Sequence, residues 1–294
     1  MDTADLLAAI SNGGANGSSL AERFGVSRTM VWKRMQQLRA EGVVIEGAAG
    51  EGYTLVDAAG FGPWTLGWRC QRPVQFFECC GSTNVEARIL ADSHSSPAGL
   101  LVVADQQDAG RGRLGRTWST EPGHNLLFSI VLKPQVVPQL APVCVLAWAA
   151  AMAEVLDCQV KWPNDLVTSD GQKIGGILAE LASEAERVRF VILGVGINVN
   201  QRSFPDLPQA TSLAILQGRS IDRAELLGRL VAAIEAVPTV SAPSLDVWRS
   251  RSHTLGQRVR VGDVEGVASD VRDDGALLVD GTAVLAGDVE MVAS

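Results

Sequence analysis

Histidine, cysteine and lysine are all scarce in this chain of 294 residues, and each scarcity removes a class of function. Three histidines, with no H-E-x-x-H and no Cys/His cluster, leave no ligand set for a structural or catalytic zinc, so no protein-only metal site is expected. Five cysteines (Cys70, Cys79, Cys80, Cys144, Cys158) make an odd set without C-x-x-C, and the adjacent pair is poorly built to close on itself. Reduced thiols follow. No basic segment precedes an apolar stretch at the N-terminus, so no signal peptide is expected. The longest apolar run, Val143–Ala153, is too short to span a bilayer. These absences predict a cytoplasmic protein with no membrane partner. Only four of the 25 basic residues are lysines: Lys33, Lys133, Lys161 and Lys173. In a chain that writes arginine elsewhere, each lysine asks for a reason, and two of them fall in motifs discussed below.

Hydrophobic residues make up 47% of the chain, enough for a sizeable core and two or three domains. The net charge of −8 argues against wholesale coating of nucleic acid while leaving room for a locally basic reading head.

The most informative stretch runs from Gln107 to Trp118 and reads Q-D-A-G-R-G-R-L-G-R-T-W. Its glycines are costly to order, its arginines are permanently charged planar donors for carboxylate or phosphate, and its Trp offers a flat face for a ring. Such a segment is expected to be disordered alone and to wrap an anionic ligand. Gly110, Gly112 and Gly115 also satisfy the dinucleotide pattern G-x-G-x-x-G, with the apolar run Leu100–Ala104 before them. That pattern needs a helix opening at the glycines, and loop residues 117–125 follow instead. A Gly/Arg RNA-binding tract would be longer and repetitive.

Residues 1–57 read as a separate unit. Ser19 is a plausible cap for a short helix, Gly25-Val26 makes a turn, and Ser27 opens a longer helix through Ala40, with Met30, Val31, Met35 and Leu38 at helical spacing. Helix, glycine turn and helix is the DNA-reading arrangement. Ser27, Arg28, Thr29, Lys33 and Arg34 are the candidate DNA contacts. Residues 43–46 and 53–56, joined through Gly50-Glu51-Gly52, form a wing. Seven acids against five bases keep a helical protein–protein module open as the alternative. Residues 58–72 lack a period and are expected to be a linker. The middle of the chain, about 73–245, mixes helices (83–91, 143–156) with strands (100–104, 126–132, 158–161, 174–181, 188–195) joined by short hairpins such as Asp170-Gly171. That predicts an α+β domain with a largely antiparallel or mixed sheet. From 255 to 294, short strands and Gly/Asp turns predict a small β-barrel.

Three more motifs carry polar chemistry. Gly81-Ser82-Thr83-Asn84 stands at a helix N-terminus, where N–H groups and the dipole favour an anion, with Thr83 and Glu86 spaced as a capping box. Lys161-Trp-Pro-Asn164-Asp165-Leu sets polar groups on a Pro-fixed turn. Gln172-Lys173-Ile-Gly-Gly-Ile-Leu-Ala-Glu180-Leu puts a lysine ahead of paired glycines, which permit close approach. Each alone also reads as an ordinary cap, turn or solvated lysine.

In this order and spacing, these motifs together with Gly194-Val-Gly196-Ile-Asn198 resemble the successive signatures of the biotin protein ligases, over most of residues 78–200. The N-terminal winged helix-turn-helix and the C-terminal β-unit resemble the long, bifunctional subclass, which also represses transcription of biotin genes. The resemblance implies an α+β multidomain chain: a winged helix at 1–57, a class II synthetase/biotin ligase-like catalytic domain at 73–245, and an SH3-like β-barrel at 255–294. It implies ATP and biotin as substrates with Mg2+, a biotin carboxyl carrier protein domain and operator DNA as partners, and a homodimer. Biotin would be held by the positions of Ser82, Thr83, Asn84, Gln107 (with Gln106 as a possible slip), Arg111, Gly112, Arg113 and Lys173. ATP or the adenylate would meet Arg113, Arg116, Trp118, Lys161, Asn164 and Asn198. Lys173, Arg111 and Arg113 would carry catalysis. Asp165 would orient or deprotonate the acceptor lysine, or else only hold its turn or a metal. Two departures stand out: Leu114 replaces an arginine of some members, and the segment Gly287–Val292 lacks a basic residue some members place there. The alternatives are a lipoate or octanoate ligase, a ligand-sensing repressor with a dead ligase site, and a ligase whose helix-turn-helix no longer binds DNA.

Overall fold

A computed structural model describes residues 3–11, 15–40, 43–47, 52–57, 60–93, 98–184 and 186–292. The chain divides into two compact units, residues 1–76 with 224–228 and residues 77–223 with 229–294.

In the first unit, three helices (α1, Thr3–Ser11; α2, Gly17–Phe24; α3, Arg28–Ala40) are followed by a two-stranded antiparallel hairpin (β1, Val44–Glu46; β2, Thr54–Asp57) and by α4, Pro63–Cys70. The cap of α2 is Asn16 rather than Ser19: the Asn16 side chain accepts from the Ser18 and Ser19 amides, two of the helix's orphan donors. Gly25, at φ 63°, ends α2 in the left-handed conformation glycine tolerates. The Ser27 hydroxyl accepts from the Met30 amide and starts α3. Val31, Met35 and Leu38 turn inward onto Leu6, Leu7, Ile10 and Leu20, but Met30, expected in the same apolar series, is 53% exposed. The Gly50–Glu51 part of the expected wing turn lies outside the described residues. The segment expected to be a linker instead forms α4, where Pro63 supplies a fixed φ at the first turn and Trp64 and Trp68, four apart, pack on the core.

The second unit holds a seven-stranded sheet built from β3 (Val74–Cys80), β4 (Leu101–Gln107), β5 (Leu126–Leu132), β6 (Gln159–Lys161), β7 (Asp165–Val167), β8 (Lys173–Glu184) and β9 (Arg187–Ile197). Its order is β3-β4-β5-β9-β8-β7-β6, and the long β8–β9 hairpin pairs antiparallel from Gly175–Ile197 to Glu184–Arg187. The observed strands run one to three residues beyond the expected ones at several ends. On one side, α5 (Thr83–Ser93) buries Ala87 and Ala91 against Val102, Val131, Phe190 and Ile192. The helix α6 (Ala141–Leu156) is buried over most of its length. The apolar segment Pro138–Leu156 has the length and hydropathy of a membrane span, and 61% of it is inside the protein, as in a core helix. Helices α7 (Leu213–Gln217), α8 (Arg223–Ala236) and α9 (Asp246–Ser250) follow.

The C-terminal part is a five-stranded antiparallel sheet, ordered β13-β12-β11-β10-β14, from β10 (Arg258–Val261), β11 (Val264–Val271), β12 (Leu277–Val279), β13 (Thr282–Val284) and β14 (Glu290–Met291). Val259 and Val261 alternate inward, and Ala268 and Val271 also turn inward on either side of an irregularity in the β11–β12 pairing. Two bonds from Trp162 join it to the larger sheet: the indole N–H donates to Gly275 O at 3.1 Å and the amide N to Thr254 Oγ1 at 2.9 Å.

Candidate functional site

A cavity of about 520 Å³ opens over β8 and β9, and all five sequence motifs of the central domain reach it. The first wall is the start of α5. Gln107, at the end of β4, accepts from the Thr83 amide at 2.7 Å and from Thr83 Oγ1 at 3.1 Å, so Gln107 satisfies the helix N-terminus. This replaces the expected Thr83–Glu86 capping box, because the Thr83 hydroxyl is committed to Gln107. Gln106 turns away and bonds Asp108. Asn84, 4% exposed, donates to Glu180 Oε1 at 2.9 Å and to Leu178 O at 3.2 Å, and Ser129 Oγ lies 2.7 Å from its carbonyl oxygen. A Cβ at Gly194 would fall 2.1 Å from that oxygen, and one at Gly196 would fall 2.5 Å from the Trp118 ring. The two glycines of β9 are therefore the gap into which Asn84 and Trp118 fit.

The second wall is the Gly/Arg loop. Trp118 N donates to Gly110 O, Gly112 N to Arg116 O, and Arg116 N to Arg113 O, with a short 3-10 turn at Arg113–Gly115 and both Leu114 (φ 55°) and Gly115 (φ 75°) left-handed. Arg113 Nη1 reaches Asn164 Oδ1 and Gly287 O, each at 3.3 Å, and Asp288 Oδ1 at 3.8 Å, while Arg116 bonds Asp288.

The third wall is the turn after β6, with a cis Trp162–Pro163 bond. Asn164 Nδ2 donates to Ile177 O at 2.8 Å, and Ile177 N donates to Asn164 O at 2.9 Å, so both ends of the residue are fixed to β8. Asp165 begins β7 rather than lying in the turn. Its carboxylate accepts from Lys173 Nζ at 2.6 Å, and that ammonium also lies 5.6 Å from the Trp118 ring centre. The Trp118 indole N–H is buried with no hydrogen-bond partner among the described residues. Burial pushes the Cys80 thiol, next to the first motif, up to about 11, which removes it as a thiolate nucleophile.

Every candidate for biotin or catalysis (Ser82, Thr83, Asn84, Gln107, Arg111, Gly112, Arg113, Asp165, Lys173) lines this one cavity, as do Arg116, Trp118, Lys161 and Asn164. Asn198 does not: it is 5% exposed, and its amide donates to Thr211 O. On α3, Arg28, Thr29 and Lys33 are exposed beside Ser27. Arg34 is half-buried and spent within its own unit, bonded to Thr3 and Gln37 with its guanidinium 5.0 Å from the Trp64 ring centre.

Residues 77–198 match the Biotin/lipoate A/B protein ligase family, and residues 4–54 match an HTH domain family. The bifunctional ligase/repressor BirA of Bacillus spizizenii is 34% identical over 94% of this chain and 93% of its own length. This chain belongs to the biotin/lipoate A/B protein ligase family. The biotin--[acetyl-CoA-carboxylase] ligase of Mycobacterium tuberculosis is 36% identical over 71% of this ligase and 85% of its own length. The biotin protein ligase from Aquifex aeolicus in complex with biotin and ATP superposes with a TM-score of 0.59 at 28% identity, over 75% of this ligase and 99% of that chain.

Sequence reasoning missed several residues that shape the ligase cavity. Ser129 and Glu180 fix Asn84, and Asp288 and Glu290 enter from the C-terminal sheet. Glu180 lies near the end of the Lys173 motif, and Asp288 follows Gly287 in the segment that lacks a basic residue. Ser129 sits inside an apolar strand, and its one polar atom among buried neighbours was the available signal.

Proposed function

We propose that the protein is an ATP-dependent biotin protein ligase that forms biotinyl-5′-AMP and transfers biotin to a lysine of a biotin carboxyl carrier protein domain, and that it also represses transcription in response to biotin. The observation that carries the ligase reading is the convergence of Asn84, Gln107, Arg113, Asn164 and Lys173 on one cavity. Similarity to a bifunctional ligase/repressor, 34% identical over 94% of this chain, supports the second half.

In the first step the biotin carboxylate attacks the α-phosphorus of ATP, and pyrophosphate leaves with the electron pair of the broken P–O bond. Two anions must meet, so positioning and charge stabilisation dominate. Lys173 supplies a cation at the reacting oxygens, and Asp165 holds that ammonium in place. Ser82, Thr83, Asn84 and Gln107 stand at a helix N-terminus suited to biotin's polar groups. Arg111 and Gly112 add donors from the loop, whose bonded backbone limits water's access to the anhydride. Arg113, Arg116, Lys161 and Asn164 face the nucleotide, and Trp118 offers its ring. Mg2+ would enter with ATP, held chiefly by its phosphates and water, and would neutralise charge on the departing pyrophosphate. In the second step the acceptor lysine, after losing a proton, attacks the anhydride carbonyl and AMP departs.

The domain limits proposed are 1–57, 73–245 and 255–294, with the last an SH3-like barrel. The protein is proposed to act in the cytoplasm as a homodimer, presenting two α3 helices to a palindromic operator, with Arg28, Thr29 and Lys33 as contacts. A second reading, a ligase that does not bind DNA, draws on the engagement of Arg34 inside its unit. Band-shift titration of operator DNA with and without biotin and MgATP separates the two: ligand-dependent binding supports repression, and none at dimerising concentrations supports the second reading.

A further inference from the structure

We propose that Asp288 is a built-in competitor for the nucleotide phosphates, a positioning residue that holds Arg113 and Arg116 until a polyanion displaces it. The inference rests on reading the cavity as the adenylate site. One carboxylate serves both guanidinium groups: Asp288 bonds Arg116 and lies 3.8 Å from Arg113 Nη1. Arg113 is further held by Gly287 O, so two successive residues of the connection between β13 and β14 grip the loop. Arg–carboxylate and Arg–phosphate pairs use the same donor fork, so a phosphate oxygen and Asp288 cannot both take it.

The Asp288 backbone is anchored on both sides. Gly287 is at φ 138°, and a Cβ there would fall 2.6 Å from Val261 Cγ1. Val289 is 4% exposed, and Glu290 pairs with Arg260 in β14–β10. The arginines stand on a loop that carries three glycines and an exposed Leu114, so the loop, not Asp288, yields when the pair opens. A singly charged anion gains little over the resident carboxylate, whereas a triphosphate brings more charge and more acceptors. Asp288 thus sets a threshold against small anions and raises the ATP concentration needed for half-saturation. The same segment lacks a basic residue that would aid the nucleotide, so its net effect on phosphate is opposition.

The test compares wild type, Asp288→Asn and Asp288→Glu in two assays on the full chain. Trypsin cleavage after Arg111, Arg113 and Arg116, without nucleotide, reads the grip on the loop. Biotin-dependent pyrophosphate release against ATP concentration reads the competition. Asp288→Asn is expected to speed loop cleavage about fivefold and to lower KM for ATP about three- to fivefold, the scale of a partly exposed Arg–carboxylate pair, while kcat shifts less than twofold. Asp288→Glu should track wild type in both. Unchanged cleavage in Asp288→Asn overturns the grip, and faster cleavage with KM for ATP unchanged or raised overturns the competition. If wild type releases no pyrophosphate with biotin and ATP, the adenylate reading fails and takes the competition with it, while the cleavage arm still reports the grip on its own.

Discussion

Replacing Lys173 by alanine should separate catalysis from stability by a wide margin. The side chain keeps 33% of its surface exposed and Asp165 keeps 25%, so their ion pair sits largely in solvent reach. A pair of that kind contributes about 0–1 kcal/mol to folding, and its loss should shift Tm by no more than about 2–4 °C in a protein of this size. The charge aimed at the reacting oxygens is worth more: removing one preorganised stabilising donor costs roughly 3–4 kcal/mol, or about two to three powers of ten in rate. The assay is pyrophosphate release on adding biotin and MgATP, run beside a thermal melt. Release within about tenfold of wild type would refute the assignment, because 1.4 kcal/mol is too little for a group that neutralises charge in the transition state. A collapse of Tm together with activity would show instead that Lys173 serves the fold.

Gly194→Ala should displace Asn84 and strand its buried amide, which holds bonds to Glu180, Leu178 and Ser129. A loss of about 2–4 kcal/mol in urea unfolding and a large rise in KM for biotin are expected, and a variant with wild-type KM would contradict the packing. Asp165→Asn, which removes the carboxylate that positions Lys173, should slow adenylate formation and transfer from preformed adenylate alike; slower transfer alone would make Asp165 the acceptor's base instead. Burial and the nearby Lys161 hold the His253 imidazole below its ordinary 6.5, so the unfolded chain takes up the proton first and stability falls as the pH drops through 6.5. His253→Gln should flatten that slope in melts from pH 5 to 7, and an unchanged slope would count against it. Lys33→Ala should lower the salt slope of operator binding by about one, whereas Arg34→Ala should lower the melting point of the first unit and leave the slope unchanged.

The central fold was largely legible because its signals are local. Paired hairpin turns, Asp170-Gly171 among them, and apolar strands such as 126–132 announce an antiparallel sheet, and the ordered motifs name the walls of the cavity. What escaped was set by distant contacts. The α4 helix hid because Trp64 and Trp68 only make sense once the core of α1 and α3 is there to receive them. Met30 read as core because spacing alone does not say which side of α3 is covered. Asn198 shares a motif with Gly194 and Gly196, yet it bonds Thr211 outside the cavity. The course of the Gly/Arg loop was not legible because glycine content reports chain entropy, whereas its Gly110–Trp118 and Gly112–Arg116 bonds are set by the backbone path and its bond to Asp288 by a segment far along the chain.

The most direct test of the ligase reading is intact-mass analysis of a biotin carboxyl carrier protein domain incubated with purified protein, biotin and MgATP. The expected result is the mass gain of one biotinyl group on the carrier's target lysine, dependent on ATP, absent with Lys173→Ala and absent when lipoate replaces biotin. An unmodified carrier, or equal modification by lipoate, would contradict it.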